Sequence, residues 1–272
     1  MKATLATTPA DAHKPNEDFA GLLPRSAVLL DGAGLSGTAT LCRHGVAWYT
    51  NTLGVNILSL LGSGERTTLT EILEKAIAQT AESHRDTCDL QDPGTPSATV
   101  IIVRAAEGAL DYLVLADSVL IINRADGSLA VTTDDREARI GHQYRAEMDR
   151  LDNGTPEHDH ARRQYVQKMR AHRNKPDGFW VAAADPGAAR EALTGQLPIS
   201  QIRSVAMLSD GASRLVDRFG LATWDDAMKI LSKEGPDELI RLVRDAELSD
   251  EAGSRWPRGK TYDDATAVLF EP

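Results

Sequence analysis

Three apolar runs end on an aspartate in the same manner: Ala27-Val28-Leu29-Leu30-Asp31-Gly32, Leu113-Val114-Leu115-Ala116-Asp117 and Val205-Ala206-Met207-Leu208-Ser209-Asp210-Gly211. A fourth run carries its acids at the opposite end, where Asp263-Asp264 precede residues 265–270. Aspartate at a strand end is ordinary turn chemistry, and Asp-Gly more so. Antiparallel neighbours, however, set the start of one strand beside the end of the next, so all four acidic positions can meet on one rim. Carboxylates gathered there raise one another's pKa, and a hard divalent cation removes that conflict. Mg²⁺ or Mn²⁺ takes oxygen ligands and keeps several waters, which suits aspartates and a backbone carbonyl without a Cys or His cluster. On the residues alone, four turn residues and one metal site remain alternatives.

Other routes to chemistry are poorly served. No G-x-S-x-G elbow and no G-x-x-x-x-G-K-[ST] loop occurs, so neither an activated serine nor a nucleotide cradle is indicated. Cys42 and Cys88 are remote in sequence and lack C-x-x-C spacing, so two reduced thiols are expected, with no disulfide framework or Cys-based zinc site. His44 is a conceivable proton donor, although an isolated His near a strand is usually structural or solvated. His158-Asp159-His160 lacks further ligands at suitable spacing and reads as loop.

The elements that must position the acids follow from hydrophobic periodicity. Residues 27–30, 46–49, 100–103, 112–116, 119–123, 179–183, 205–208 and 265–270 have strand length and turn residues at their borders. Glu107-Gly108 and Asp126-Gly127 are short enough to join antiparallel neighbours, which argues against a doubly wound parallel sheet. Leu69, Ile72, Leu73, Ala76, Ile77 and Thr80 form a helical stripe, and Ile140, Tyr144, Met148 and Leu151 a sparser one. Further helices are expected over 224–231, capped by Thr223, and over 237–248, with Pro236 in the first turn. Residues 152–178 form a polar excursion with one short helix. Its Arg162, Arg163, Lys168, Arg170, Arg173 and Lys175 read as a solvated face or as a recruiter of an acidic or phosphorylated partner. The fold class is α+β: helices cover the outer faces of packed antiparallel sheets.

The chain has 272 residues, 42% hydrophobic, with 30 basic against 40 acidic side chains and a net charge of −10. That balance disfavours a nucleic-acid or anionic-membrane footprint. No apolar run reaches membrane length, and the N-terminal stretch is too interrupted by Thr and Pro for a signal-peptide core. A cytoplasmic protein is expected; the oligomeric state is not readable.

In order along the chain stand Asn16-Glu17-Asp18, Asp31-Gly32-Ala33-Gly34, Ser97-Ala98-Thr99, Ala116-Asp117-Ser118, Ser209-Asp210-Gly211 and Asp263-Asp264-Ala265-Thr266. This set resembles the metal-dependent serine/threonine phosphatases of the protein phosphatase 2C type in their bacterial form, whose segments are N-(E/Q)-D, D-G-x-G, G-D-S, S-D-G and D-N-x-T/S. The resemblance runs from about residue 16 to 270. It implies a four-layer sandwich of two antiparallel sheets flanked by helices, a single domain over 1–272 with 137–178 as a helical, flap-like insertion, and hydrolysis of phosphoserine or phosphothreonine on proteins by metal-activated water. It implies two Mn²⁺ or Mg²⁺ ions, with Asp31 bridging, the Gly32 carbonyl on one ion, Asp210 and Asp263 on one ion, and Glu17 and Asp18 near the other, directly or through water. Asp117, with Asp210, matches a third, weaker site. An Arg common in the family is replaced by His13, beside Lys14, as the group meeting substrate phosphate. Leu35 replaces a family Gly, Asp264 a family Asn, and Ala33 a His of eukaryotic relatives, which leaves the general acid unassigned. These departures keep a non-catalytic module that binds a phosphorylated or regulatory partner as the alternative.

Overall fold

The computed structural model describes residues 2–34, 42–64 and 67–272; Leu35 lies outside them. In chain order the elements are β1 (Lys2–Thr8), β2 (Phe19–Leu23), β3 (Ser26–Ala33), α1 (Val46–Gly62), α2 (Leu69–Glu82), β4 (Ser97–Ala106), β5 (Ala109–Leu115), β6 (Val119–Arg124), β7 (Leu129–Thr132), α3 (Arg136–Gly141), α4 (Pro156–Arg170), β8 (Leu193–Pro198), β9 (Ile202–Leu208), α5 (Asp210–Asp217), α6 (Trp224–Lys233), α7 (Pro236–Ser249) and β10 (Ala265–Glu271). Two five-stranded sheets result, ordered β1-β10-β9-β6-β7 and β2-β3-β4-β5-β8, and every pairing in them is antiparallel. The sheets face each other and helices cover both outer faces, as the layered pattern implied. No helix among the described residues is long and apolar enough to cross a membrane.

Period-two alternation sorts each strand between two cores. Ala27 and Leu29 of β3 pack between the sheets with Ile101, Val205, Met207, Val268 and Phe270. Val28 and Leu30 face outward against Tyr49, Leu53 and Ile57 of α1 and Ile72, Leu73 and Ile77 of α2. On the far side Ala206, Leu208, Ala267 and Leu269 pack on Leu215, Met228, Leu239 and Val243 of the last three helices. Each fully buried aliphatic side chain contributes about 1.5–3 kcal/mol. The same alternation carried two residues on sets Asp31 on the inter-sheet face and Gly32 against α1.

Several local expectations hold. Both short turns join hairpin strands, the stripe from Leu69 is α2, and Thr223 caps α6 in a reciprocal capping box with Asp226. Pro236 opens α7. Others are corrected. Residues 46–49 begin α1: the stripe Tyr49, Leu53, Ile57 is helical, and a four-residue apolar run cannot distinguish the two. Residues 179–183 make only isolated bridges, Ala98 with Ala182 and Arg173 with Phe179. The stripe from Ile140 breaks after Gly141, and Met148 lies in a separate 3₁₀ turn. The polar excursion holds a 15-residue helix, α4, with Thr155 as N-cap and Pro156 in its first turn. His158-Asp159-His160 is therefore helical, not loop, and buried His158 points its Nε2 at the Arg258 carbonyl, 3.1 Å away. Strands β1, β2 and β8 escape the periodicity because each is an edge strand with few fully buried residues.

The chain crosses between the sheets at Ala116-Asp117-Ser118, and there Ala116 holds φ 70°, a left-handed conformation with a Cβ penalty. The G-D-S segment that this stretch resembles has Gly at this place. Ala116→Gly is expected to raise unfolding free energy by about 1 kcal/mol, because relief of strain outweighs the added chain entropy. Urea denaturation measures it, and a loss of stability would contradict the strain.

Candidate active site

The acidic rim lies where the two sheets end together. Asp31 comes from β3 of one sheet, Asp210 opens α5 just after β9 of the other, and Asp263-Asp264 lead into β10. Register brings Leu208 opposite Ala267, so the chain leaving β9 runs beside the chain entering β10. The contact is too close for a side chain: a Cβ on Gly211 would collide with the Asp264 carbonyl oxygen. The link between sheets is direct, since the Asp210 amide donates to Asp31 Oδ2 at 2.9 Å.

The Asn16-Glu17-Asp18 segment is held against this rim by Asp264. Its Oδ1 accepts from the Ala10 amide and its Oδ2 from the Glu17 amide, each at 2.7 Å. An asparagine here could accept only one of these bonds in the same pose. Gly32 completes the docking, because a Cβ there would strike the Glu17 carbonyl and approach Val46 Cγ1 to 2.6 Å. Gly32 is thus required first by the neighbouring backbone. Behind Asp31, its amide donates to Thr99 Oγ1 at 3.2 Å, and Thr99 bonds Ser118 at 2.6 Å.

Burial and mutual repulsion govern the charges. Asp18 is pushed up to about 8, first by burial and then by Asp210 and Asp263. Burial likewise lifts Asp31 well above the ordinary range, with Asp210, Asp18 and Asp263 adding to it. Asp210 is raised by burial and Asp263. Asp117 reaches about 8 through burial, Glu137 and Asp210, and burial raises Glu17. Asp263 is the exception: despite burial, Lys260 and Arg214 hold it below its usual value. Lys260 Nζ donates to its Oδ1 at 2.6 Å and Arg214 to its Oδ2 at 2.8 Å. Arg214 also bonds fully buried Glu247 at 2.6 Å, tying α5 to α7.

Whether such a set suits hard dications is a matter of donors left over. Asp18 Oδ2 is buried with no hydrogen-bond partner, and Asp18, Asp31 and Asp210 oppose one another's ionisation. Oxygen donors with excess negative charge and no sulfur or imidazole fit Mg²⁺ or Mn²⁺. A cleft of about 600 Å³ opens over the rim, with Asp31, Gly32, Asp117, Asp210 and Asp263 in its floor. Its walls carry Arg145, Arg162, Arg170, Arg173, Arg218 and Lys260.

The structure does not bring every expected residue to this cleft. His13 and Lys14 are exposed, do not line it, and Lys14 lies 3.7 Å from Asp11. Glu17 and Asp18 sit behind the lining, within electrostatic reach of Asp263. His44 is not in the lining either; it faces Cys42 and Cys88. Sequence reasoning missed Lys260 and Arg214 as partners of Asp263. The signal for Lys260 was its position three residues before that aspartate. Arg162, noted only as part of a basic cluster, enters the cleft from α4 and makes no hydrogen bond or ion pair to another described residue.

Two facing antiparallel sheets between helical layers, with carboxylates of both sheets meeting at one end, define the phosphatase-type four-layer sandwich. The chain belongs to the protein phosphatase 2C family, whose sequence profile matches residues 10–248. No curated protein matches it in sequence. Among solved structures it is similar to a serine/threonine phosphatase of Staphylococcus aureus, with 13% identity, TM-score 0.60, and 100% of this chain and 94% of that one covered. It is similar to the PPM Ser-Thr phosphatase MsPP of Mycobacterium smegmatis, solved with cacodylate, at 17% identity and TM-score 0.59, covering 100% and 98%. The catalytic domain of the serine threonine protein phosphatase PstP, solved with two manganese ions, shares 17% identity at TM-score 0.58, covering 99% and 97%.

The raised aspartates set a pH dependence. Their folded pKa values exceed the unfolded value of about 3.9, so without metal the folded chain binds more protons between pH about 4 and 8. Stability is fully supported below that window and lost as pH rises through it. Melting temperature of chelator-treated protein is expected to fall from pH about 5 to about 8, and Asp18→Asn to flatten the slope. A melting temperature that climbs across the window would contradict the assignment.

Proposed function

We propose that the chain hydrolyses phosphoserine and phosphothreonine monoesters on proteins with the help of bound Mn²⁺ or Mg²⁺. The observation that carries this reading is the buried, unpartnered Oδ2 of Asp18 beside Asp31, Asp210 and Asp263, carboxylates delivered by both sheets. Family membership and the manganese-bound relative support the same ions. Asp31, the Gly32 carbonyl, Asp210 and Asp263 would hold two ions with Glu17 and Asp18 nearby, and Asp117 with Asp210 a third. A bound ion pair supplies a water of lowered pKa and neutralises charge at phosphorus.

The chain's own groups do the rest. Arg162 and Lys260, close enough to act on Glu17 and Asp263 electrostatically, meet the phosphate dianion in the role the resemblance gave to His13 and Lys14. A guanidinium grips two phosphate oxygens in a planar fork, which an imidazole cannot do. Residues 137–178 act as a flap: α4 hangs Arg162 and Arg170 over the acidic floor, and Met148, Tyr165, Val166 and Met169 wall the cleft with apolar surface. Arginines on the wall attract a phosphorylated segment to a chain whose net charge would repel it.

One observation favours the non-catalytic alternative. Both carboxylate oxygens of Asp263 are engaged by Lys260 and Arg214, so this aspartate must share its lone pairs to serve an ion. Turnover decides between the two. With p-nitrophenyl phosphate and a phosphothreonine peptide, hydrolysis is expected only with Mn²⁺ or Mg²⁺, and Asp210→Asn should cut kcat/KM by about 10²-fold or more. Activity that survives chelation or Asp210→Asn sinks the metal-dependent mechanism, and a folded chain that never turns over leaves the binding module.

The phosphate grip is tested separately. Arg162→Ala is expected to raise KM for the aryl phosphate about tenfold, about 1.4 kcal/mol, with kcat within about threefold. His13→Ala should leave both constants unchanged. The reverse pattern would return the role to His13.

A further inference from the structure

Away from the acidic cleft, the fold assembles a second set of metal-ligating side chains from the two thiols and two histidines the site does not use. Cys42 and His44 lie just before α1, and His84 and Cys88 just after α2. The potential ligand atoms of all four lie within 4.8 Å of one another. Cys88 Sγ is 3.2 Å and Cys42 Sγ 4.0 Å from His44 Nδ1, and Cys42 Sγ is 3.7 Å from His84 Nδ1. Zinc bonds of about 2.3 Å to sulfur and about 2.0 Å to nitrogen place tetrahedral ligands about 3.3–3.8 Å apart, so these separations need only small rotamer adjustments.

We propose that Cys42, His44, His84 and Cys88 bind one structural Zn²⁺ ion. Two thiolates with two neutral imidazoles form a charge-balanced, closed Cys₂His₂ set with no open position. The thiols give up two protons to solvent as the ion binds. Local structure already orients the donors. The Cys88 amide bonds the His84 carbonyl at 3.0 Å, a helical turn that sets both side chains on one face. Trp48 of α1 stacks on His44 with centroids 4.3 Å apart and lies 5.0 Å from His84, walling the site with an aromatic face. Buried Cys42 and His84 face inward, with Cys88 half-buried at the edge.

The site's place in the fold gives it a purpose. Cys42 follows Gly32 by ten positions and Cys88 precedes Ser97 by nine. The ion therefore clips the chain that leaves β3 to the chain that enters β4, the adjacent strands carrying Asp31 and its partner Thr99. The C-x-H and H-x₃-C spacings are each unremarkable in sequence; the α1–α2 hairpin pairs them.

Metal analysis of the purified full chain tests this. After desalting, about one zinc per chain is expected, falling below about 0.2 in Cys42→Ser and in His84→Ala but retained in Asp31→Asn. Cobalt substitution should give the visible bands of tetrahedral Co²⁺ together with thiolate-to-metal charge transfer. Because the variants could misfold, the wild-type chain is also titrated with an organomercurial, and one zinc should be released as two thiols are consumed. Substoichiometric zinc with both thiols open to the mercurial overturns the proposal. So does a non-reduced mass lighter by two hydrogens, which would mean a Cys42–Cys88 disulfide, or zinc that is lost with Asp31 and kept without Cys42.

Discussion

Like charges at the mouth of a low-dielectric core are the constraint on which the rest of this fold depends. Two sheets that close on apolar faces leave their strand ends side by side, and in this chain those ends carry carboxylates. Repulsion between Asp18, Asp31 and Asp210 opposes the very closure that buries Leu29, Ile101, Val205 and Val268. Apolar burial between the sheets, at about 1.5–3 kcal/mol per side chain, is large enough to hold the rim together against that repulsion. Protonation relieves the repulsion below the raised pKa values of Asp18, Asp31 and Asp210, and above them the excess negative charge favours a bound cation.

Holding such a rim requires backbone contacts closer than side chains allow, together with charges that are already paired. Gly32 and Gly211 supply the first, each at a point where a neighbouring carbonyl occupies the volume of a Cβ. Asp264 supplies an acceptor pair that fastens the N-terminal segment beneath the rim. Arg214 supplies a buried cation shared between Asp263 and Glu247. A buried arginine between two carboxylates is weak as a source of net stability but strict about geometry, because loss of either partner leaves an uncompensated charge. It fixes α5 and α7 relative to β10, and thereby fixes Asp210 relative to Asp263.

The layered fold was legible because the inner strands, buried on both faces, read as unbroken Val, Ile and Leu runs. The acidic rim was legible because Asp31, Asp117, Asp210 and Asp263 stand at run ends. Edge strands β1, β2 and β8 were not, since exposed strands need no apolar pattern. Val46 to Tyr49 misread as strand because four residues are too few to show a 3.6 period. Partners of the rim residues were hidden for a different reason. Lys260 and Arg214 reach Asp263, and Arg162 reaches the cleft, only through tertiary placement, and charged residues on polar stretches give no sequence-level sign of the face they cover. The pairing of Cys42 and His44 with His84 and Cys88 was hidden likewise, by the two helices between them.

Charge is layered over the cleft in a way that neither sign alone would explain. An acidic floor attracts dications but repels phosphate, and a basic wall does the reverse. Arg162 and Lys260 stand at the boundary, where a phosphoryl group that met only carboxylates would be expelled. Of the wall arginines, Arg162 and Arg170 lie on α4, while Arg145, Arg173 and Arg218 come from flanking segments, so the basic wall is built from several elements. Floor geometry is fixed by three cores, one between the sheets and one on each outer face, and by buried hydrogen bonds. The wall is held by the small cluster of Ala116, Met169, Phe179 and Val181 and by polar ties, with His158 at the Arg258 carbonyl and Arg173 donating to the Thr95 carbonyl. Floor and wall are therefore braced by different means, apolar packing beneath the carboxylates and polar ties beneath the arginines.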